Sequence, residues 1–237
     1  MLKVEWKQRI YSMDAATKEQ EQNTEEESTS ENKSYSSKRG DFQIWESPEL
    51  TPPAVFEDIQ DVDPAAIAKT FEFSALAERF GHDAAQNKIS DLVKASASGT
   101  SSTVLIWQNS PGGMSLVHVW FGPNFPLFRH SHPAYGDCLY YIISGELIMG
   151  ERHLKAGAGM FVPNGHPYRF KAGPAGVELL EFRSGGGTKG APGLKMEEKS
   201  LDALQKLIDE HHVQRPKWKQ PENIGDTAFL QRELDFG

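Results

Sequence analysis

The distribution of apolar and polar residues divides the chain into four segments with different predicted structures. Residues 1–40 end in a stretch of almost only Lys, Glu, Gln, Asn, Thr and Ser, which predicts a disordered polar tail. Residues 41–100 contain several prolines and then apolar residues at helical spacing, which predicts an extended and helical collar. Residues 101–185 carry short runs of branched and aromatic residues between turn signals, which predict a β-barrel. Residues 186–237 predict a glycine-rich loop, a helix and a C-terminal tail.

Local signals mark the helix ends and the attachment of the tail. Asp63, with the proline that follows it, is typical of a helix N-terminus, because an aspartate caps the first turn and proline fits the first helical position. Ser200 can cap a C-terminal helix in the same way. Trp218 and Phe229 are the residues expected to anchor the C-terminal tail onto the body of the protein.

Two histidines one residue apart, His130 and His132, stand near the centre of the β-rich segment. Strand side chains alternate with period two, so both imidazoles face the same way if they lie on a strand. Two apolar runs follow, and each ends in a turn signal, at 144–145 and at 163–165. This order predicts a hairpin-rich barrel with a metal site in its mouth.

The same stretch resembles the cupin superfamily of small jelly-roll barrels. The family's first motif is Gly, five residues, His-x-His, three or four residues, Glu, six residues and Gly, and its second is Gly, five residues, Pro-x-Gly, two residues, His, three residues and Asn. The chain matches these motifs at His130, His132, Gly145, Gly157, Pro163 and Gly165, whereas Gly122 lies seven residues ahead of the histidine pair instead of five. The resemblance covers roughly residues 100 to 185, and it implies a mainly β fold, a jelly-roll barrel with N-terminal helices and one C-terminal helix.

The resemblance also implies a metal ion, but the family's other ligands are substituted. Counting back from the closing glycine of the first motif places Cys138 at the glutamate position, whereas counting forward from the histidines places Asp137 there. Counting through the second motif places Tyr168 at the third histidine position, with His166 two residues earlier. A thiolate favours zinc or copper, and a carboxylate with two imidazoles suits non-haem iron. The candidate metal ligands are His130, His132, His166, Cys138 and Asp137.

Two readings of function follow. The first is a metal-dependent enzyme of the dioxygenase, lyase or isomerase class, an oxidoreductase or a lyase for example, that uses iron, zinc, manganese or nickel on a small polar organic substrate. Its catalytic residues would be Tyr168 and Tyr140, with Phe128 and Phe170 lining the substrate pocket. Tyr168 could alternatively be a phenolate ligand. The second reading is a non-catalytic cupin-like protein that binds a small molecule at a degenerate metal site.

Composition and charge exclude some partners. The net charge of −8 argues against nucleic-acid binding, for which a basic patch is the usual footprint. No apolar run approaches the roughly 20 residues needed to cross a bilayer, which predicts a protein that does not bind membranes. The single cysteine excludes an intramolecular disulfide and is compatible with a reducing compartment, so we expect a cytoplasmic protein.

The strand that follows the histidine pair is apolar on both faces. Cys138, Tyr140 and Ile142 would share its inner face, whereas Leu139, Tyr141 and Ile143 would face outward. Such a wall needs a cover, from the N-terminal helices or from a second subunit. The sequence therefore predicts a homodimer.

Overall fold

The computed structural model describes residues 34–36, 43–46, 48–59, 62–108, 113–184 and 191–227. Its helices are α1 (Pro64–Thr70), α2 (Ser74–Phe80), α3 (His82–Ser96) and α4 (Leu201–Gln214). The two predicted caps are confirmed. Asp63 Oδ1 accepts a hydrogen bond from the amide of Ala65, and Ser200 Oγ accepts one from the amide of Ala203. None of these helices is long and apolar enough to cross a bilayer.

Most of the strands belong to one antiparallel sheet of six strands. The sheet runs β4 (Thr100–Trp107), β5 (Ser115–Phe121), β10 (Lys171–Arg183), β7 (Cys138–Met149) and β8 (Arg152–Lys155), with β9 (Gly159–Val162) also paired with β7. Three of these strands, β4, β5 and β7, are rich in branched and aromatic residues, which suit a pleated and buried surface. A separate hairpin pairs β1 (Ser34–Ser36) with β2 (Gln43–Trp45).

A second sheet faces the first across one hydrophobic core. It runs β3 (Phe71–Glu72), β11 (Leu194–Met196) and β6 (His130–Ser131), and residue 168 adds an isolated bridge beside β6. After β5 the chain passes to β6, returns to β7, passes to residue 168, returns to β10 and passes again to β11. Such alternation between two sheets is the jelly-roll arrangement. The predicted fold class, mainly β with N-terminal helices and one C-terminal helix, is confirmed.

Apolar side chains of both sheets meet in this core. Val117, Val119 and Phe121 of β5 pack with residues of the second sheet and with the buried faces of the helices. Helix α3 contributes Ile89 and Leu92, which are almost fully buried, at the spacing that places both on one face. The collar helices therefore complete the core from outside the β-rich segment.

Strands also form outside residues 101–185, while the predicted boundaries between the segments stay predictions. Residues 34–36 of the predicted tail form β1, and the rest of residues 1–40 lies outside the described residues. The second sheet takes β3 from the predicted collar and β11 from the predicted C-terminal segment. The reason is that a short strand such as β6 can be buried only if it has hydrogen-bonding neighbours, and those neighbours come from distant parts of the chain.

The outer face of the large sheet is covered only in part. His118, Trp120 and Glu178 lie on this face and are almost fully buried. Glu178 accepts hydrogen bonds from His118 Nε2 at 2.9 Å and from the amides of Gly225 and Thr227 at 2.8 Å. The C-terminal segment is thereby fixed across β5 and β10.

The other end of that face is open in the described part of the chain. Leu139 and Tyr141 of β7 are 47% and 43% exposed, and Phe161 of β9, the register partner of Leu139, is 61% exposed. The outward orientation predicted for Leu139 and Tyr141 is confirmed, whereas the homodimer that would cover them stays a prediction.

Trp218 anchors the C-terminal segment, as predicted, while Phe229 lies outside the described residues. Its indole Nε1–H donates to the carbonyl of Pro123 at 3.1 Å, and its ring lies flat on Gly99 and Gly122. A Cβ on Gly122 would stand 2.4 Å from the Trp218 ring. The glycines therefore provide the space in which the indole packs.

We expect Gly122→Ala to displace Trp218 and to lower the free energy of unfolding by about 1–3 kcal/mol, the usual cost of overpacking. Denaturant unfolding measures the change. In a Trp218→Leu background the same glycine substitution should cost clearly less, since the clashing ring is gone. An equal cost in both backgrounds would contradict the role assigned to the indole.

Candidate metal and substrate site

Strand pairing in the second sheet brings His130 and Tyr168 side by side. The two residues exchange both backbone hydrogen bonds, from His130 N to Tyr168 O at 3.1 Å and from Tyr168 N to His130 O at 3.0 Å. Residues paired in this way place their side chains on the same face. His132 lies two residues beyond His130 and also returns to that face, as its position in the sequence predicted.

The three side chains converge at their tips. His130 Nε2 and His132 Nε2 are 3.1 Å apart, and Tyr168 Oη lies 3.0 Å from the first nitrogen and 3.2 Å from the second. His130 and Tyr168 are buried, and His132 is half-buried. Two nitrogens and one oxygen therefore form a nearly equilateral triangle at the edge of the core.

Backbone carbonyls fix the tautomer of both imidazoles. His130 Nδ1–H donates to the carbonyl of Phe128 at 3.0 Å, and His132 Nδ1–H donates to the carbonyl of Gly193 at 3.1 Å. A carbonyl can only accept, so each neutral ring keeps its lone pair on Nε2. The two Nε2 atoms are both acceptors, and they cannot satisfy each other.

A chain of hydroxyl groups leads from this triangle to a buried arginine. Tyr140 Oη on β7 is 2.5 Å from Tyr168 Oη, and Arg183 Nη2 on β10 donates to Tyr140 Oη at 3.3 Å. Arg183 Nε also donates to Glu181. The Tyr135 ring lies 5.7 Å from the Arg183 guanidinium carbon and 6.3 Å from the His132 ring. The site thus carries one positive and one negative side chain beside the imidazoles.

Burial determines the protonation states at this site. Desolvation lowers the pKa of His130 to about 4, and desolvation together with the nearby Arg183 charge lowers the pKa of His132 well below its ordinary value. Desolvation, reinforced by Glu181, raises the pKa of the Tyr140 and Tyr168 phenols. At neutral pH the imidazoles are therefore neutral, which is the state in which a histidine binds a metal ion.

Three predicted ligands are not brought to the triangle. His166 is exposed, because residues 163–166 form a turn closed by a hydrogen bond from its amide to Pro163 O, and strand parity does not apply to a turn. Asp137 is also exposed, and its Oδ1 accepts a hydrogen bond from the amide of Asn164. Cys138 is buried on the inner face of β7. Among the described residues no three His, Cys, Asp or Glu side chains come together.

Cys138 is a buried thiol beside Tyr140, whose hydroxyl separates it from the triangle. Burial, and then the charge of Glu181, raise its pKa to about 12. We expect Cys138→Ser to leave metal retention unchanged and to lower the melting temperature by a few degrees, since a hydroxyl replaces a buried weakly polar group. Metal analysis and thermal unfolding measure the two effects. Loss of metal in this variant would show that the Cys138 thiolate is a metal ligand.

Phe128 and Phe170 lie behind the site. The Phe128 ring is 5.0 Å from the His130 ring, and the Phe170 ring is stacked on that of Tyr168 at 6.4 Å. Both side chains are buried in the main core. Phe128 packs against the imidazole of His130, and Phe170 packs against the phenol ring of Tyr168, both from the side of the core. That these two residues line a substrate pocket stays a prediction.

The donor triangle fits a transition-metal ion. Donors about 2.1 Å from an ion stand about 3.0 Å apart at right-angle coordination and about 3.4 Å apart in a tetrahedron. The three distances of 3.0–3.2 Å between His130, His132 and Tyr168 lie within this range. Histidine ligands also normally donate their second ring N–H to a carbonyl or carboxylate, as both of these do.

No protein-family model and no curated protein sequence matches the chain. Among solved structures, KdgF from Halomonas sp. is 20% identical at a TM-score of 0.31, over 36% of this chain and 79% of that one. An RmlC-like cupin from Shewanella frigidimarina is 22% identical at a TM-score of 0.32, over 37% of this chain and 77% of that one. A structure of the DMSP lyases RdDddP and RnDddQII is 17% identical at a TM-score of 0.36, over 43% of this chain and 54% of that one.

Proposed function

We propose that this chain is a metal-dependent enzyme of the cupin type that acts on a small polar organic substrate, with the ion held by His130, His132 and Tyr168. The observation that carries the proposal is the triangle of donor atoms, in which both Nε2 atoms lie 3.0–3.2 Å from Tyr168 Oη. Tyr168 stands where the second cupin motif has its third histidine ligand. An oxygen ligand beside two imidazoles suits iron, manganese, zinc or nickel.

A count of hydrogens supports an ion at this place. The Tyr168 hydroxyl can donate one hydrogen, so in the absence of a cation one of the two Nε2 acceptors has no donor among the described residues. Protonation of one imidazole would supply the missing donor, but desolvation lowers the pKa of His130 to about 4 and so disfavours the charged ring. A divalent cation would satisfy both lone pairs together and would favour the phenolate form of Tyr168.

The remaining residues define what the site does around the ion. When bound, the ion supplies Lewis acidity toward a carbonyl, carboxylate or hydroxyl oxygen of the substrate. Tyr140 holds a proton at Oη between Tyr168 and Arg183, and it is the group that gives or takes a proton. A proton donor such as Tyr140 beside a Lewis-acidic ion suits reactions that move a proton on the substrate, as lyases and isomerases do.

The test is metal analysis of untagged protein after reconstitution with iron, zinc, manganese or nickel and removal of the excess. We expect about one ion per chain for at least one of these metals, since three protein ligands form a stable site. Clearly substoichiometric binding of all four metals would overturn the proposal. The chain would then be the non-catalytic small-molecule-binding protein of the second reading.

We expect Tyr168→Phe to lower metal affinity by about 10–100-fold or more, because the phenyl ring keeps the packing against Phe170 and removes only the oxygen. A competition titration with a metal-binding dye measures the affinity. Tyr141→Phe is the matched control, since its ring is on the exposed outer face. Equal affinities in the two variants would remove Tyr168 from the ligand set.

Self-association stays a prediction of the sequence. The exposed row formed by Leu139, Tyr141 and Phe161 is the surface that a second copy would cover. Sedimentation velocity at micromolar concentration decides the point, with Leu139→Lys expected to shift a dimer toward the monomer. A monomeric wild-type protein would contradict the prediction.

A further inference from the structure

Arg183 has more hydrogen-bonding capacity than the protein uses. Its side chain is 1% exposed, its Nε donates to Glu181, and its Nη2 donates to Tyr140. Its Nη1 is buried and has no partner among the described residues. A buried N–H group without an acceptor is costly, so it needs an explanation.

A second unsatisfied polar group lies next to it. Ser115 of β5 is the direct register partner of Arg183, so the two side chains stand on the same face of the sheet. Ser115 is 1% exposed, and its Oγ also has no partner among the described residues. These register partners on β10 and β5 thus each carry a buried polar atom that no described residue satisfies.

We propose that the substrate is a small carboxylic acid and that Arg183 and Ser115 bind its carboxylate. The assignment rests on the proposed function, because Tyr140 and Tyr168 link this anchor to the imidazole pair and so place the rest of the acid toward them. A carboxylate has two oxygens and accepts from a guanidinium and a hydroxyl at the same time. No described residue accepts a hydrogen bond from Arg183 Nη1 or from Ser115 Oγ.

Charge favours a singly charged acid over a phosphate ester. Glu181 already offsets the positive charge of Arg183, and the N–H groups that its hydrogen bonds to Glu181 and Tyr140 leave over are the two on Nη1 and one on Nη2. A phosphate has three oxygens to satisfy and carries about −1.5 to −2 charges, which the two groups cannot match. A monocarboxylic acid, with one charge and two oxygens, fits their number.

The experiment compares acids with their uncharged amides. Acetate and glycolate are titrated against acetamide and glycolamide by ligand-observed NMR and by thermal unfolding, with the metal-loaded protein and with protein stripped by EDTA. We expect the acids to bind and to raise the melting temperature, and the amides to do neither. Binding by the stripped protein tests the anchor without the ion, so the result is readable even if the metal site itself fails.

Variants identify the anchor. Arg183→Lys keeps the charge but removes the Nη1 donor, and we expect the dissociation constant of the acid to rise about tenfold or more. Ser115→Ala changes no charge and should weaken the acid in the same direction. Arg152→Lys, on exposed β8, is the matched control and should bind as the wild type does. Equal binding of acids and amides, no binding of any acid, or unchanged affinity in both Arg183→Lys and Ser115→Ala would overturn the proposal.

Discussion

Replacing His130 by alanine is expected to abolish metal retention while the barrel stays folded. Two of three donors would remain, and one imidazole with one phenol binds divalent ions too weakly to survive dialysis. We expect the metal content to fall from about one ion per chain to less than a tenth of that. Elemental analysis of protein dialysed against chelator-treated buffer gives the number, and circular dichroism reports the fold.

His132→Ala provides a second measurement that does not depend on core packing. His130 is buried against Phe128 and Tyr168, so its removal leaves a cavity, whereas His132 is only half-buried. Both variants should lose the ion. The exposed His153 is the matched control, and His153→Ala should retain a full complement. Retention of metal by the folded His130 and His132 variants would exclude the triangle as the binding site.

Removing the carboxylate of Glu178 should produce the largest loss of stability in the molecule. Glu178→Ala leaves the His118 imidazole and the amides of Gly225 and Thr227 without their acceptor. Breaking a fully buried charged network of this kind costs about 3–5 kcal/mol. Denaturant unfolding measures it, and Glu151→Ala on an exposed turn should stay within about 0.5 kcal/mol of the wild type.

The same carboxylate makes stability depend on pH. Burial alone would raise its pKa, but the hydrogen bonds from His118, Gly225 and Thr227 hold the pKa of Glu178 below its ordinary value of 4.5. A depressed pKa in the folded state contributes stability above pH 4.5, and that contribution is lost as the pH falls through the folded value. Glu178→Gln should flatten this acid limb of the stability profile. An unchanged profile would show that other carboxylates control acid unfolding.

The fold could be predicted because its signals are local. Branched residues, turn glycines and the capping residues Asp63 and Ser200 each determine a short piece of backbone. The contributions of β3 and β11 to the second sheet could not be predicted. Each strand is only two or three residues long, and it exists because β6 needs hydrogen-bonding neighbours, not because its own sequence favours a strand.

The candidate site was predictable in part for the same reason. The spacing of His130 and His132 determines that they share a face, and counting through the second motif led to Tyr168. His166 lies in an exposed turn before Tyr168, and strand parity cannot predict the direction of a side chain in a turn. Arg183 was missed altogether, since only the long-range pairing of β10 with β7 brings its guanidinium beside Tyr140. The one signal in the sequence is its position two residues after Glu181 on a predicted strand, which places both side chains on the same face.

The way in which the C-terminal segment is fastened has a consequence for limited proteolysis. A cut just after Trp218 would separate the amides of Gly225 and Thr227, which bind Glu178, from the indole that anchors the segment. Release of the segment after one cleavage would leave the buried carboxylate of Glu178 with only its hydrogen bond from His118. The nicked molecule should therefore be less stable than the intact chain, and further digestion should follow the first cut quickly.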